Sequence, residues 1–277
     1  MKNFLLLFLL TFIIIGCKKE EEKPIDIKEK YAIDTSDIKT VKLENQYENF
    51  FIKYGFLAAK EYNYRLTNIA ENINTVSMND STISQKVKQT LTYLINLKIL
   101  DFDADSIYEI AFRITSVKLE ADVDGEKFFY ESETTKDSAA KVRYAEYVSV
   151  LNNPFNVRIS SIGDLIEIYK ADRIINEFVK IKGIADSITV AEKDYLKNDM
   201  IERALKPLVV QVLRQLTDKV LSKDSIWTIV QEPTRLMVFQ IQNTSTYKVK
   251  SLELLNDDRI AVIDAALKSN ITGNNKV

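Results

Sequence analysis

The sequence predicts an α+β domain in which a long antiparallel β-sheet, a meander, carries amphipathic helices packed on one face. Three observations lead to this fold class. Apolar and polar residues alternate over long segments after residue 60, which is the period of half-buried strands. Apolar residues at helical spacing follow, and alternation then returns. Strands, then helices, then strands favour helices that cover one face of an antiparallel sheet.

The early strands are predicted from alternation and from the turns between them. Glu61–Leu66 is a tyrosine-rich strand, and a long half-buried strand covers 87–99. Asp103–Ser106 ends it, because Asp and Ser favour tight turns. In the next strand, which starts near Tyr108, the apolar phase slips by one residue at Thr115–Val117. A slip of one residue predicts a β-bulge.

The middle of the chain changes from strand to helix. Asp124-Gly125 predicts a tight hairpin turn into a third strand. Residues 144–151 have helical spacing, and two short strands are expected on either side of Gly163. The second of these strands is predicted at Leu165–Tyr169, and an amphipathic helix is expected over 171–179.

The last third begins with a long predicted helix. Thr189 and Glu192 have the spacing of a capping box. Pro207 should kink this helix or begin a second one. The tail from Lys268 to Val277 is polar and is expected to fray. Late strands are predicted over 226–230, 236–241, 247–254 and 259–265.

The N-terminal segment has the features of a secretory signal. Lys2 precedes an apolar run over 4–15, which is shorter than the roughly 20 residues of a membrane-spanning helix. The run ends at Gly16 and Cys17, and Cys17 is the only cysteine of the chain. This ending resembles the lipobox of bacterial lipoproteins, which implies cleavage before Cys17 and lipid on its thiol. The alternative is an ordinary signal with an incidental cysteine.

The cysteine is directly followed by a charged segment that consists of Lys18, Lys19, Glu20, Glu21 and Glu22. This segment resembles the lipoprotein export signal of Bacteroidota. That resemblance implies a lipid-anchored protein of the outer membrane, displayed on the cell surface, with the periplasmic face as the alternative location. The same charges also suit a solvated run in a flexible tether, which is compatible with an export signal.

Composition limits the partners and the chemistry. Without residues 1–16 the chain loses one of its 38 basic residues, and the remaining 37 face 40 acidic residues. This slight acidic excess predicts no nucleic-acid partner. The chain has no histidine, which excludes Ser-His-Asp and Cys-His catalysis and His-containing zinc sites. The expected organisation is a signal peptide at 1–16, a lipidated tether at 17–42 and a single α+β domain at 43–277.

The layout resembles a family of uncharacterised Bacteroidota lipoproteins built on a domain of unknown function. The shared features are the strand Glu61–Leu66, the acidic turn Asp103–Ser106, and a Pro154-Phe155 strand that turns at Gly163. The resemblance covers most of residues 43–265 and implies no assigned activity. A long sheet with helices against it is also distantly similar to periplasmic lipoprotein-carrier folds, which hold acyl chains.

Two sequence features are candidate ligand sites. Asp101, Asp103 and Asp105 have the spacing that starts a calcium-binding loop. The pattern then fails, because Ser106 stands where such a loop needs glycine, so a turn is the expected role and no metal or cofactor is predicted. Trp227, the only tryptophan, is expected to pack in the core, with a place in a ligand groove as the alternative.

The functional hypothesis is a non-catalytic, membrane-anchored binding module for a surface protein or an apolar ligand. The membrane would be contacted through lipid on Cys17. One alternative is a carrier of lipid or lipoprotein with a cavity between sheet and helices. Another is a hydrolase that uses carboxylates, or a serine with a lysine base. A carrier needs an apolar cavity, whereas an interaction module fills that space and exposes a patch elsewhere.

Overall fold

Alternating apolar residues build two separate antiparallel sheets in this protein. The computed structural model describes residues 39–78, 81–236 and 239–273, which belong to the unit formed by residues 33–277. The strands of this described part are β1 (Val41–Lys42), β2 (Glu61–Met78), β3 (Ser81–Phe102), β4 (Ile107–Val123), β5 (Glu126–Glu131), β6 (Phe155–Ser160), β7 (Leu165–Tyr169), β8 (Ile226–Val230), β9 (Thr234–Leu236), β10 (Phe239–Leu255) and β11 (Asp258–Gly273).

The helices lie between β5 and β8 in the chain, so the predicted α+β class is confirmed. Within the described ranges, none of them combines the length and the apolar character that a membrane crossing requires. The helices are α1 (Ser138–Arg143), α2 (Ala145–Val150), α3 (Asp172–Ile181), α4 (Val190–Met200) and α5 (Lys206–Val212), with a π-helical segment (Ile201–Leu205) between α4 and α5.

The strands form two sheets where the sequence predicts one. The first sheet has the order β2-β3-β4-β6-β7, and β5 pairs with the far end of β4. In the second sheet β10 is central, with β11 on one side and β1, β8 and β9 on the other. Alternation shows that a strand is half-buried, but it does not show which strand is its neighbour. The late strands pair with each other and with β1, not with the early hairpins.

The helices and the first sheet share one buried core. Phe112 on β4 and Phe155 on β6 stack there with ring centroids 5.0 Å apart. Alternate residues of the same strands point inward, as the sequence predicts. The helical part contributes buried side chains from Tyr144, Ala145, Val150, Ile174, Ile175, Phe178, Val179, Leu205, Leu208 and Val209.

The predicted bulge is present in β4. Leu94 pairs with Ser116 and Ile95 pairs with Ile114, so Thr115 is the extra residue. Its hydroxyl donates to the Leu94 carbonyl at 3.2 Å. The bulge explains the slip in apolar phase, because it returns the next apolar residues to the inner face.

Pro207 neither stops the long helix nor starts an independent one. A proline inside a helix lacks an N–H and clashes with the carbonyl four residues earlier. Here the preceding turn widens to the π form, and the Lys206 N–H donates to the Ile201 carbonyl. The helix therefore runs from α4 through the π segment into α5. The capping box at Thr189 and Glu192 is also present and opens α4 as predicted.

The C-terminal segment corrects one expectation. The sequence predicts fraying from Lys268, but β11 stays paired with β10 as far as Gly273. Residues 264–270 of β11 are exposed to solvent on both faces of the strand, so burial does not impose there the apolar alternation by which strands are found in a sequence. Val41 and Lys42, the last residues of the predicted tether, also pair with β10.

Candidate binding site on the outer face of the first sheet

A row of charged side chains crosses the outer face of the first sheet. Strand pairing places Asp101 beside Glu109, Glu109 beside Arg158, and Arg158 beside Glu167. These residues come from β3, β4, β6 and β7. They point away from the core because their neighbours, such as Ile110, point into it. We call these four residues the charged row.

The charged row lines a solvent-open pocket with a volume of about 380 Å³. The pocket lies at the end of the sheet where the β3–β4 turn stands beside β6 and β7. Its lining residues are Asp101, Asp103, Ile107, Glu109, Arg158, Glu167 and Tyr169.

Glu109 is the most firmly held carboxylate of the pocket. It accepts hydrogen bonds from the Tyr169 hydroxyl and, at 2.8 Å, from the side-chain amide of Asn156, which is 6% exposed. The Lys170 ammonium lies 3.9 Å away. The hydrogen bond from Tyr169 is the main cause that lowers the pKa of Glu109, and Asn156, Lys170 and Arg158 add to it. A carboxyl group with a lowered pKa stays ionised, so Glu109 suits a fixed anionic contact and not a general acid.

Asp103 has a structural role in the β3–β4 turn. Its carboxylate accepts the backbone N–H of Asp105 at 3.0 Å and that of Ile107 at 2.9 Å. The guanidinium of Arg158 lies 3.8 Å from the same carboxylate. Asp101 accepts the N–H of its own neighbour, Phe102, at 2.8 Å. These contacts are those of a tight turn, which is the role expected from the sequence.

The metal reading of Asp101, Asp103 and Asp105 receives no support from the geometry. In residues 39–78, 81–236 and 239–273, no three acidic, cysteine or histidine side chains converge as a metal ion would require. The Asp103 carboxylate is instead occupied by backbone donors.

The other predicted residues lie apart from this pocket. Cys17 and the export segment, residues 18–22, fall outside the described residues. Trp227 is 6% exposed and stacks on Tyr247 at 5.1 Å in the core of the second sheet, which is the packing role expected for it. Its indole N–H is buried and has no hydrogen-bond acceptor among the described residues.

The sequence reasoning missed Glu109, Asn156, Arg158 and Tyr169. Alternation could have placed Glu109 and Arg158 on the outer face, because each stands between two apolar residues of its strand. It could not have placed them side by side, because that requires the register of β4 against β6.

Removing the Tyr169 hydroxyl is expected to weaken the site without unfolding it. Tyr169→Phe deletes one hydrogen bond to a charged acceptor and should lower the free energy of unfolding by about 1 kcal/mol at pH 7. The folded-state pKa of Glu109 lies below its ordinary value of 4.5, so its stabilising contribution is present above pH 4.5 and is lost as pH falls through the lowered pKa. The variant should raise that pKa, and carboxyl NMR titration would measure it. Tyr195→Phe, at an exposed tyrosine, is the matched control, and an unchanged Glu109 titration in Tyr169→Phe would contradict the assignment.

The fold and the site together define an α+β protein with two antiparallel sheets and a solvent-open polar pocket on one of them. The family model of DUF6263, a family of unknown function, matches residues 105–276. The match covers more than half of the chain, and the protein belongs to this family. The matched range includes Glu109, Arg158 and Tyr169, whereas Asp101 lies before that range. The resemblance to an uncharacterised family is thus confirmed at that level. No curated protein and no solved structure matches the chain.

Proposed function

We propose that this protein is a non-catalytic binding module, held to the outer membrane by lipid on Cys17, that binds another protein at the cell surface. The space between the first sheet and its helices is filled by side chains. This observation favours a protein over an acyl chain as the ligand. Ile110, Phe112 and Ile174 are each 0% exposed there, and Leu205 is 1% exposed. Side chains from sheet and helices occupy the volume that a carrier would keep open for its ligand.

Two pockets of the described part support the same choice. One contains the charged row, and the other is lined by Lys86, Lys88, Asp122, Asp124 and Gly125 at the opposite end of the outer face. Both are open and lined mainly by charged groups. Acyl chains bind in enclosed apolar cavities, whereas charged open pockets suit the polar groups of a protein surface.

Exposed apolar side chains provide contact area of the kind that protein interfaces use. The segment between β1 and β2 exposes Tyr47 (65%), Phe51 (59%) and Leu57 (59%). Large aromatic side chains are enriched at protein interfaces, because they bury much area for little loss of side-chain entropy. This segment and the charged pocket are the surfaces through which we expect the module to bind.

Native mass spectrometry tests the choice between partner binding and lipid carriage. The chain from Lys18 to Val277 would be purified from a bacterium of the type that makes it. We expect the bare protein mass. A reproducible additional mass that solvent extraction identifies as lipid would overturn the proposal in favour of a carrier.

The proposed anchor and address are tested separately in cells. Cys17→Ser should abolish incorporation of a labelled fatty acid, because the thiol that would carry the lipid is gone. On intact cells that make the wild-type chain, added protease should remove the protein from the surface. A wild-type protein that stays intact until the outer membrane is broken would contradict surface display.

A further inference from the structure

The second sheet ends in a long strand with an open edge. β11 is a strand of 16 residues that pairs with β10 along its length, and no other described strand pairs with its far side. An open edge of this length presents backbone N–H and C=O groups that another strand can pair with. Proteins commonly protect such edges with a proline, a bulge or charged side chains. β11 contains no proline, and the bulge of this hairpin lies on β10 between Val249 and Ser251.

The charges near the middle of β11 complement each other in one register. Asp264 and Lys268 are four residues apart and therefore lie on the same face of the strand. If two copies pair antiparallel about a two-fold axis at Ala266, each Asp264 stands opposite Lys268 of the second copy. This register also overlaps residues 259–273 of both copies, nearly the whole strand. An axis at Asp264 or Lys268 would place like charges opposite each other, which is destabilising.

The same register continues an apolar row of the second sheet. Trp227 on β8 pairs with Tyr247 on β10, which pairs with Ala265 on β11. Leu267 is 65% exposed in the single chain, although it shares a face with Ala265. With the axis at Ala266, Leu267 of the second copy stands opposite Ala265 and extends this row. Pairing would therefore bury an apolar side chain that one copy alone leaves in solvent.

The first sheet also has an open edge, at β2, where an acidic side chain is already engaged. Glu71 on that strand forms ion pairs with Lys86 at 3.0 Å and with Lys88 at 3.5 Å. By contrast, Lys268 forms no ion pair with any described residue, whereas Asp264 lies 3.7 Å from Lys250 and opposite Lys248 on β10. The β2 edge exposes the apolar side chains of Ile69 (80%) and Ile73 (67%), so the choice of β11 rests on its self-complementary charges and on the near-complete overlap of the two strands.

We propose that two copies of this chain associate through their β11 edges, so that their second sheets join into one continuous antiparallel sheet. The contact is isologous, with the axis at Ala266, and β1, β8 and β9 lie on the opposite side of β10 from it. The charged row and the exposed segment between β1 and β2 would then be present twice in each assembly.

Sedimentation equilibrium of the chain from Lys18 to Val277 tests the association. We expect a wild-type dimer, and Lys268→Asp should raise its dissociation constant about tenfold or more, because Asp264 then faces a like charge twice. Lys268→Arg should keep the dimer. Lys127→Asp makes the same change of net charge at an exposed position of β5 and should also keep it. A monomeric wild type, or equal weakening by Lys268→Asp and Lys127→Asp, would overturn the proposal.

Single cysteines test the register, because the chain after Cys17 has no cysteine. In the proposed register the two Ala266 residues stand opposite each other, with Cα atoms about 4.5–5.5 Å apart, which a disulfide can span. Ala266→Cys should therefore cross-link on mild oxidation. Asn270→Cys should not, because the two copies of residue 270 would be roughly 26 Å apart. The axis would be refuted if Asn270→Cys cross-linked as efficiently as Ala266→Cys. It would also be refuted if neither variant cross-linked.

Discussion

Gly163→Ala is expected to lower the free energy of unfolding by about 3 kcal/mol, because it adds backbone strain to a steric clash. Gly163 has a φ of +84° in the turn between β6 and β7, a region that L residues rarely adopt. A Cβ placed there would stand 2.5 Å from the Arg214 carbonyl oxygen and 2.9 Å from the ring of Tyr54. Urea unfolding followed by circular dichroism measures the loss.

Gly125→Ala is the matched control for that substitution. Gly125 has a similar φ of +91° in the β4–β5 turn, but an added Cβ there would meet nothing within 4 Å. Only the strain remains, so we expect a loss of about 1 kcal/mol. Equal losses at the two glycines would mean that Gly163 is not in close contact with the segments around it.

The clash matters because Gly163 lies where three segments of the chain meet. Tyr54, in the segment that leads to β2, donates its hydroxyl to the Arg214 carbonyl at 2.9 Å and its N–H to the Ser161 carbonyl at 2.8 Å. The Leu216 N–H donates to the Ile162 carbonyl at 2.7 Å. These bonds hold the two connections between the sheets against the β6–β7 turn. A side chain at position 163 would separate them.

Phe112→Ala should cost about 4 kcal/mol of stability, since it removes a fully buried ring and leaves a cavity. Phe112 is 0% exposed and stacks on Phe155 between the first sheet and the helices. Thermal or urea unfolding measures the loss. The same experiment bears on function. If the Phe112 ring lined a ligand cavity, replacing it with alanine would lower the free energy of unfolding much less.

Phe129→Ala is the control, at a phenylalanine of β5 that is 51% exposed. We expect it to cost about 1 kcal/mol or less, since about half of its surface stays in water after folding. A small loss from Phe112→Ala, similar to that from Phe129→Ala, would contradict a filled core and would revive the carrier hypothesis.

Local features could be predicted because they depend on neighbours in the chain. The strand Leu165–Tyr169, the hairpin turn at Asp124-Gly125, the bulge at Thr115 and the capping box at Thr189 all appear where the sequence predicts them. Each is determined by the residue types within a few positions, through turn chemistry, alternation or a cap. For Pro207 the sequence predicts either a kink in the helix or the start of a new one. In the structure a π turn precedes Pro207 and the helix continues through it.

The sequence by itself determined the α+β class, most element positions, and the absence of histidine chemistry. It also carries the lipoprotein prediction at Cys17, because a processing signal is read as a linear segment. Only the tertiary structure decided that the strands form two sheets, and that Asp101, Glu109, Arg158 and Glu167 stand in one row. Partner and register depend on contacts between segments far apart in the chain, and the alternation of side chains along one strand does not encode them.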